Sequence, residues 1–237
     1  FLVKIASSKR KRGEKLSKSV LLNEKIAKKL FKNEKYGKQL SAKVISDVIG
    51  ADYEEVLNNI KPASEEIAFS VLTVNSTADV IYHDDLVYFN IELNFNNIKS
   101  KSRQLESYVY QIYLGQLHTY KNYNMIKKIV QISIDGYDYF KKEEFMYKVL
   151  LMEEKYHISY NDLIQIIHIN IDYLRKIDYN EVVLGSNKLM KDLYFLTSND
   201  DYKLDIIYEK DDIMKDIIDE AKQIAGIEKM DLYLTDE

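Results

Sequence analysis

The stretch ADVIYHDDLVYFNIELNF, residues 78–95, decides the fold. Two β-rich runs flank a short polar break, the pattern of a hairpin. His83 to Leu86 read as its turn, with Asp84 and Asp85 as turn residues. Pairing through that turn sets residues opposite one another when their numbers sum to about 169, so Asp79 faces Asn90 and Ala78 faces Ile91. Side chains alternate along a strand. One face then carries Asp79, Ile81, Asn90, Glu92 and Asn94. The other carries Val80, Tyr82, Val87, Phe89, Ile91 and Leu93. The second is apolar throughout and reads as the core side; the first reads as a half-exposed polar face.

On that polar face Asp79 and Glu92 are diagonal neighbours, roughly 7–8 Å apart at the backbone. Two carboxylates so placed can converge on one hard cation, and Mg²⁺ takes one or two carboxylates while keeping several waters. The carbonyl of Leu93 is a further candidate ligand. Asn94, two residues beyond Glu92, is placed to orient a water or a phosphate oxygen. An acid–acid–amide face is also an ordinary solvated hairpin surface, and both readings stand on these residues alone.

Upstream, Leu22, Ile26 and Leu30, then Leu40, Val44 and Val48, recur every four residues and predict helices over 20–32 and 38–49. Pro62 marks a loop, and IAFSVLTV (67–74) is a β-rich run. Downstream, Leu105, Val109, Ile112 and Gln116 predict a helix over 101–118. IKKIVQISI (126–134), MYKVLLME (146–153) and LIQIIHINI (163–171) predict strands. From Asn187 to Ala225 the chain is acidic with apolar residues at helical spacing. The order is that of a mixed α/β core with a helical C-terminal extension. The acidic stretch 199–222 suits either a solvated helical bundle or a basic partner.

The 237 residues are 46% hydrophobic and 30% charged, enough for a sizeable core. With no cysteine, disulfides, thiolate metal sites and cysteine nucleophiles are excluded. The four histidines, at 83, 118, 157 and 168, form no close-spaced pair, and His118, His157 and His168 read as surface or core-edge residues. Asp135, in SIDG, has no second acid near it in sequence. No Gly-rich phosphate loop occurs. Net charge is −4, which leaves room only for a local basic groove. No apolar run nears the roughly 18 residues of a membrane helix. The expectation is a cytoplasmic protein with no membrane partner. The chain starts at Phe1, ahead of a basic tail, and reads as a fragment or a processed chain.

Asp79 followed about a dozen residues later by Glu92-Leu93-Asn94 resembles the D…(D/E)-x-K core of restriction-endonuclease-like nucleases. Within them it resembles the PD-(D/E)XK family transposases, or recombination-promoting nucleases, which write Glu-x-Gln on the second strand. Residues 23–50 are similar to that family's opening helix pair, 102–134 to its Arg- and Tyr-bearing helix and following strand, and 147–171 to its later strands.

The resemblance implies a restriction-endonuclease-like mixed β-sheet flanked by helices. The expected divisions are a tail over 1–19, a nuclease-like core over 20–176 and a helical extension over 177–237. It implies a DNA endonuclease dependent on Mg²⁺ or Mn²⁺ and linked to recombination or transposition. Asp79, Glu92 and Asn94 would be catalytic. Asp79, Glu92, Leu93 and, through water, Glu24 on the first helix would hold the metal. Arg103, Gln111, Lys99 and Lys101 would contact DNA, with Lys121, Lys127 and Lys128 completing a basic groove and nearby tyrosines offering stacking surfaces. Asn94 stands where the family has Gln and the wider group Lys, and Glu24 where it has Asp. A nuclease-fold module that binds DNA or protein without turnover is the alternative. A homodimer is left open.

Overall fold

The computed structural model describes residues 23–63, 78–96, 101–198 and 200–235, with side chains as far as 226. The tail over 1–19, the run 67–74 and Lys99 lie outside them.

The hairpin is the nucleus of a six-stranded sheet. Its strands are β1 (Lys61–Pro62), β2 (Val80–His83), β3 (Val87–Asn94), β4 (Lys128–Asp135), β5 (Met146–Leu150) and β6 (Ile164–Asn170), in the order β1-β2-β3-β4-β6-β5. β3, β4 and β6 are parallel to their neighbours among themselves, while β1, β2 and β5 pair antiparallel. Pro62 sits on the short β1 at one end of the strand order, where a missing N–H costs least.

The hairpin register differs from the expectation by two residues. Val80 pairs with Ile91 and His83 with Tyr88, so opposite residues sum to 171. The strand includes His83, and Asp84 makes the turn. Its Oδ1 accepts from the N–H groups of Leu86 and Val87, each at 2.7 Å. A shift of two leaves every side chain on its expected face; a shift of one would have inverted them all.

The expectation of a half-exposed polar face is overturned. Asn90, Glu92 and Asn94 are as buried as Ile91 and Leu93. The cause is β4. Two parallel strands need a crossover, and here it is the helix over Lys101–Tyr120. That helix, whose Val109 and Ile112 pack on Tyr88 and Ile129, covers the face that Tyr88 shares with Asn90, Glu92 and Asn94. Gln116 pins its far end to the start of β4, accepting from Lys127 N at 2.7 Å and donating to the Lys127 carbonyl at 3.3 Å. The opposite face is apolar across three strands: Phe89, Ile91 and Leu93, then Val130, Ile132 and Ile134, then Ile167 and Ile169, all buried. Each such side chain stabilises the fold by about 1.5–3 kcal/mol relative to exposure.

With labels in chain order, the helices are α1 (Glu24–Phe31), α2 (Gly37–Ile49), α3 (Tyr53–Asn59), α4 (Lys101–Tyr120), α5 (Ile171–Leu174), α6 (Tyr179–Leu184), α7 (Lys188–Leu193), α8 (Asp201–Ile207) and α9 (Asp212–Thr235). Contacts divide the chain into two units, 41–173 with the sheet, and 1–40 with 174–237. The expected core over 20–176 draws that line elsewhere: α1 groups with the C-terminal helices. It presents Ile26, Ala27, Leu30 and Phe31 as one buried stripe and packs on α9. Asn33 Nδ2 donates to Glu220 Oε1 at 3.0 Å in the same unit. Side-chain caps start α6, α7 and α8 at Asp178, Asn187 and Asp200, and the last interrupts what the sequence shows as one periodic stretch from Asn187 to Ala225.

Candidate active site

Asp79 lies one residue before β2, and Glu92 lies opposite it on β3 rather than diagonally. Glu92 is tied to the main chain of Asp79, and Asp79 to that of Leu93. The Asp79 N–H donates to Glu92 Oε1 at 2.9 Å, and the Leu93 N–H donates to Asp79 Oδ2 at 3.0 Å. Both are buried, at 7% and 2% exposure. Two carboxylates on one buried face, little hydrated, are a setting in which a cation offsets charge.

Asn94 follows on the same face, and it opens a chain of hydrogen bonds that crosses the sheet. Its Nδ2 donates to Ser133 Oγ at 2.6 Å. Ser133 Oγ donates to Asp135 Oδ1 at 2.8 Å. Asp135 Oδ2 lies 2.8 Å from His168 Nδ1. The His168 ring is stacked on Tyr139, with centroids 4.2 Å apart, and meets the edge of Phe140. Ser133, Asp135 and His168 are all buried. Asn94 Oδ1 is buried and has no hydrogen-bond partner among the described residues.

The reading of His168 as a surface or core-edge residue is therefore corrected, and Asp135, with no second acid near it in sequence, has Ser133 and His168 as partners. Asp135 and His168 are 33 residues apart in sequence. The parallel register sets Asn94 beside Asp135 and Ser133 beside His168, and neighbours in a parallel pair share a face. Sequence spacing carries no such signal; only the strand pairing does.

The remaining expected site residues are spread more widely. Leu93 turns its side chain to the apolar face and is registered with Ile134. Glu24 opens α1, in the other unit, and pairs with Lys28 at 3.0 Å. On α4, Lys101 is buried and donates from Nζ to Gln104 Oε1 at 3.0 Å, and Gln104 Nε2 donates to Tyr108 Oη at 2.8 Å. Gln111 is also buried, whereas Arg103 is exposed. Of the tyrosines considered for stacking, Tyr108 is buried and Tyr113 packs on the core, while Tyr110 and Tyr123 are exposed. A cleft of ≈ 300 Å³ lined by Leu86, Tyr120, Lys127 and Lys128 lies at the other end of β3 from Glu92 and does not contain the carboxylates.

A family model described as PD-(D/E)XK nuclease family transposase matches residues 25–237. Neither a curated protein nor a solved structure matches the chain.

Proposed function

The chain belongs to the PD-(D/E)XK nuclease family transposases, and from that premise we propose that it is an endonuclease that hydrolyses DNA phosphodiester bonds with a divalent cation, Mg²⁺ or Mn²⁺, in recombination or transposition. The observation that carries this reading is the interlocked Asp79–Glu92 pair with Asn94 Oδ1, unpartnered among the described residues, on the same face.

Those residues fit a hard cation: two carboxylates and a buried amide oxygen are oxygen donors, and Mg²⁺ completes its shell with water. No group of three or more His, Cys, Asp and Glu able to hold a metal occurs among the described residues. Asp79 and Glu92 would hold the ion, with the Leu93 carbonyl as a further candidate. The ion would offset charge on the scissile phosphate and lower the pKa of a bound water. Asn94 brings no positive charge to the water, so it acts as a hydrogen-bonding or ligating group only.

Lys101 is the basic residue that the crossover brings toward this end of the sheet. α4 runs back along β3 from the Asn94 end. Eleven residues from Ile112 to Lys101 are about 16 Å of helix, and four residues from Tyr88 to Glu92 are about 13 Å of strand. On that count Lys101 would stand near the level of the carboxylates, where an ammonium group would favour a phosphate. Arg103, exposed two residues along, would contact DNA outside the site.

Incubation of the full chain with plasmid DNA tests this. Cleavage is expected in Mg²⁺ or Mn²⁺ and not in Ca²⁺ or EDTA. Absence of cleavage together with absence of stabilisation by any divalent ion overturns it. Asn94 in place of a lysine favours the second reading, a module that binds DNA without turnover. Binding with divalent-ion stabilisation but no cleavage would select that one.

A further inference from the structure

We propose that Ser133, Asp135 and His168 are positioning residues that fix the amide of Asn94 with its oxygen toward the divalent-cation site, so that the third motif position acts here as an oxygen donor. This rests on the nuclease reading above and adds a role for three residues on two further strands.

Hydrogen-bond polarity carries the argument. An ionised carboxylate only accepts. Asp135 is fully buried and has two neighbours, so Ser133 must turn its O–H to Oδ1 and His168 its Nδ1–H to Oδ2. Ser133 has one hydrogen. Once that hydrogen is used, only its lone pairs face Asn94, and Asn94 must present its NH₂. The orientation of an Asn amide is otherwise ambiguous by half a turn; here the chain of donors decides it. The consequence is the buried Oδ1 without a hydrogen-bond partner among the described residues. Such an acceptor is costly unless something meets it. A cation, or a water on that cation, beside Glu92 would do so.

Tyr139 and Phe140 hold the far end of the chain. Stacked on one face and edge-on to the ring, they restrict His168 to the plane that reaches Asp135. Three side chains and an aromatic clamp therefore serve the direction of one amide, as the outer partners of metal ligands commonly do.

The polarity can be reversed chemically. In D135N, the new amide accepts from His168 with its oxygen and donates to Ser133 with its NH₂. The Ser133 hydrogen then turns to Asn94, whose amide flips and offers NH₂ to the cation. N94D added to D135N restores an oxygen there while still accepting from Ser133. The readout is Mn²⁺ and Mg²⁺ binding to the full chain without nucleic acid, by calorimetric titration and by melting temperature. D135N should bind Mn²⁺ roughly tenfold or more weakly, since loss of outer partners typically costs 10–100-fold in metal affinity. D135N/N94D should recover to within about threefold of wild type, and N94D should strengthen binding more in D135N than in the wild-type chain, a coupling that a merely structural role for Asp135 would not produce. S133A should weaken binding and S133T should restore it, which decides the matter if D135N does not fold. Folded D135N and S133A with wild-type Mn²⁺ affinity would overturn the proposal, as would failure of N94D to rescue D135N. A wild-type chain that binds no divalent ion instead removes the nuclease reading itself.

Discussion

Asp79 and Glu92 hold one another through the main chain: Glu92 Oε1 accepts the N–H of Asp79, and Asp79 Oδ2 accepts the N–H of the residue after Glu92. The pair is thus structural and chemical at once. Deleting either side chain strands a buried donor, at about 1–3 kcal/mol. Alanine at either position therefore costs stability as well as charge.

Isosteric amides separate the two roles. Glu92→Gln keeps an oxygen for the Asp79 N–H and removes the charge. It should melt within a few degrees of wild type, lose stabilisation by Mg²⁺, and lose DNA cleavage. Asp79→Asn should behave alike. Asn94→Ala should be milder, about tenfold to a hundredfold in rate, because it removes no charge. Melting curves with and without Mg²⁺, alongside cleavage rates, check all three; wild-type turnover by Glu92→Gln would end the proposed chemistry.

The same polar face continues below the site. Asn90 Nδ2 donates to Gln131 Oε1 at 2.6 Å, and both side chains are fully buried. Gln131→Leu alone leaves the Asn90 amide unmet and should cost about 1–3 kcal/mol. Asn90→Leu with Gln131→Leu should recover much of that, since two apolar side chains then meet in the middle of the sheet. Denaturant midpoints of the single and double variants measure the coupling. A double variant no more stable than the single would show that the amides are needed for packing, not for each other.

How much of this was legible in the sequence varies with range. The hairpin's two faces follow from alternation alone and survive a register error, because the error was even. The helix at 101–118 and the strands at 126–134 and 163–171 were readable from spacing, within two residues at their ends. Burial of the polar face was not read, yet a signal existed. A strand, a twenty-residue helix and another strand form a parallel crossover, and parallel strands are covered on both faces. That signal would have placed Asn90, Glu92 and Asn94 in the interior. Asp135 and His168 had no local signal at all: one follows a strand, the other interrupts an isoleucine run, and only the β4–β6 register joins them. The helix at 53–59 was missed because seven residues are too few for periodicity, although Asp52 caps it by accepting from Glu55 N at 3.0 Å.

Gly37 gives a prediction whose sign runs against helix propensity. It opens α2, where alanine usually stabilises by up to about 1 kcal/mol. A Cβ there would fall on the carbonyl oxygen of Phe31 and 2.9 Å from its carbonyl carbon. Gly37 N also donates to the Asn33 carbonyl at 2.9 Å, so the backbone cannot move away without loss. Gly37→Ala should therefore lower stability by about 1–3 kcal/mol. A raised melting temperature would show that the turn between α1 and α2 relaxes freely.

Tyr208 sets an alkaline limit on the helical unit. It is wholly buried, and burial pushes its hydroxyl well above the ordinary value of 10.0. The hydroxyl donates to the Lys191 carbonyl and accepts from the Phe195 N–H at 3.2 Å, so it joins α7 and the turn after it to the end of α8. Above pH 10 the unfolded chain loses this proton while the folded chain keeps it. The folded state then binds more protons, and stability must fall as pH rises, by about 1.4 kcal/mol per unit for one such group. The contribution is intact below pH 10 and is lost as pH climbs toward the folded value. Burial raises Tyr82 and Tyr88 as well, so the sheet unit has the same sign of dependence. Tyr208→Phe should lose about 1–3 kcal/mol at pH 7, because the Lys191 carbonyl and the Phe195 N–H lose their partner. Its stability should then decline less steeply above pH 10 than that of wild type. Urea midpoints at pH 7, 9, 10 and 10.5 read both effects. Parallel declines in the two proteins would mean that Tyr208 ionises in the folded state as it does in water.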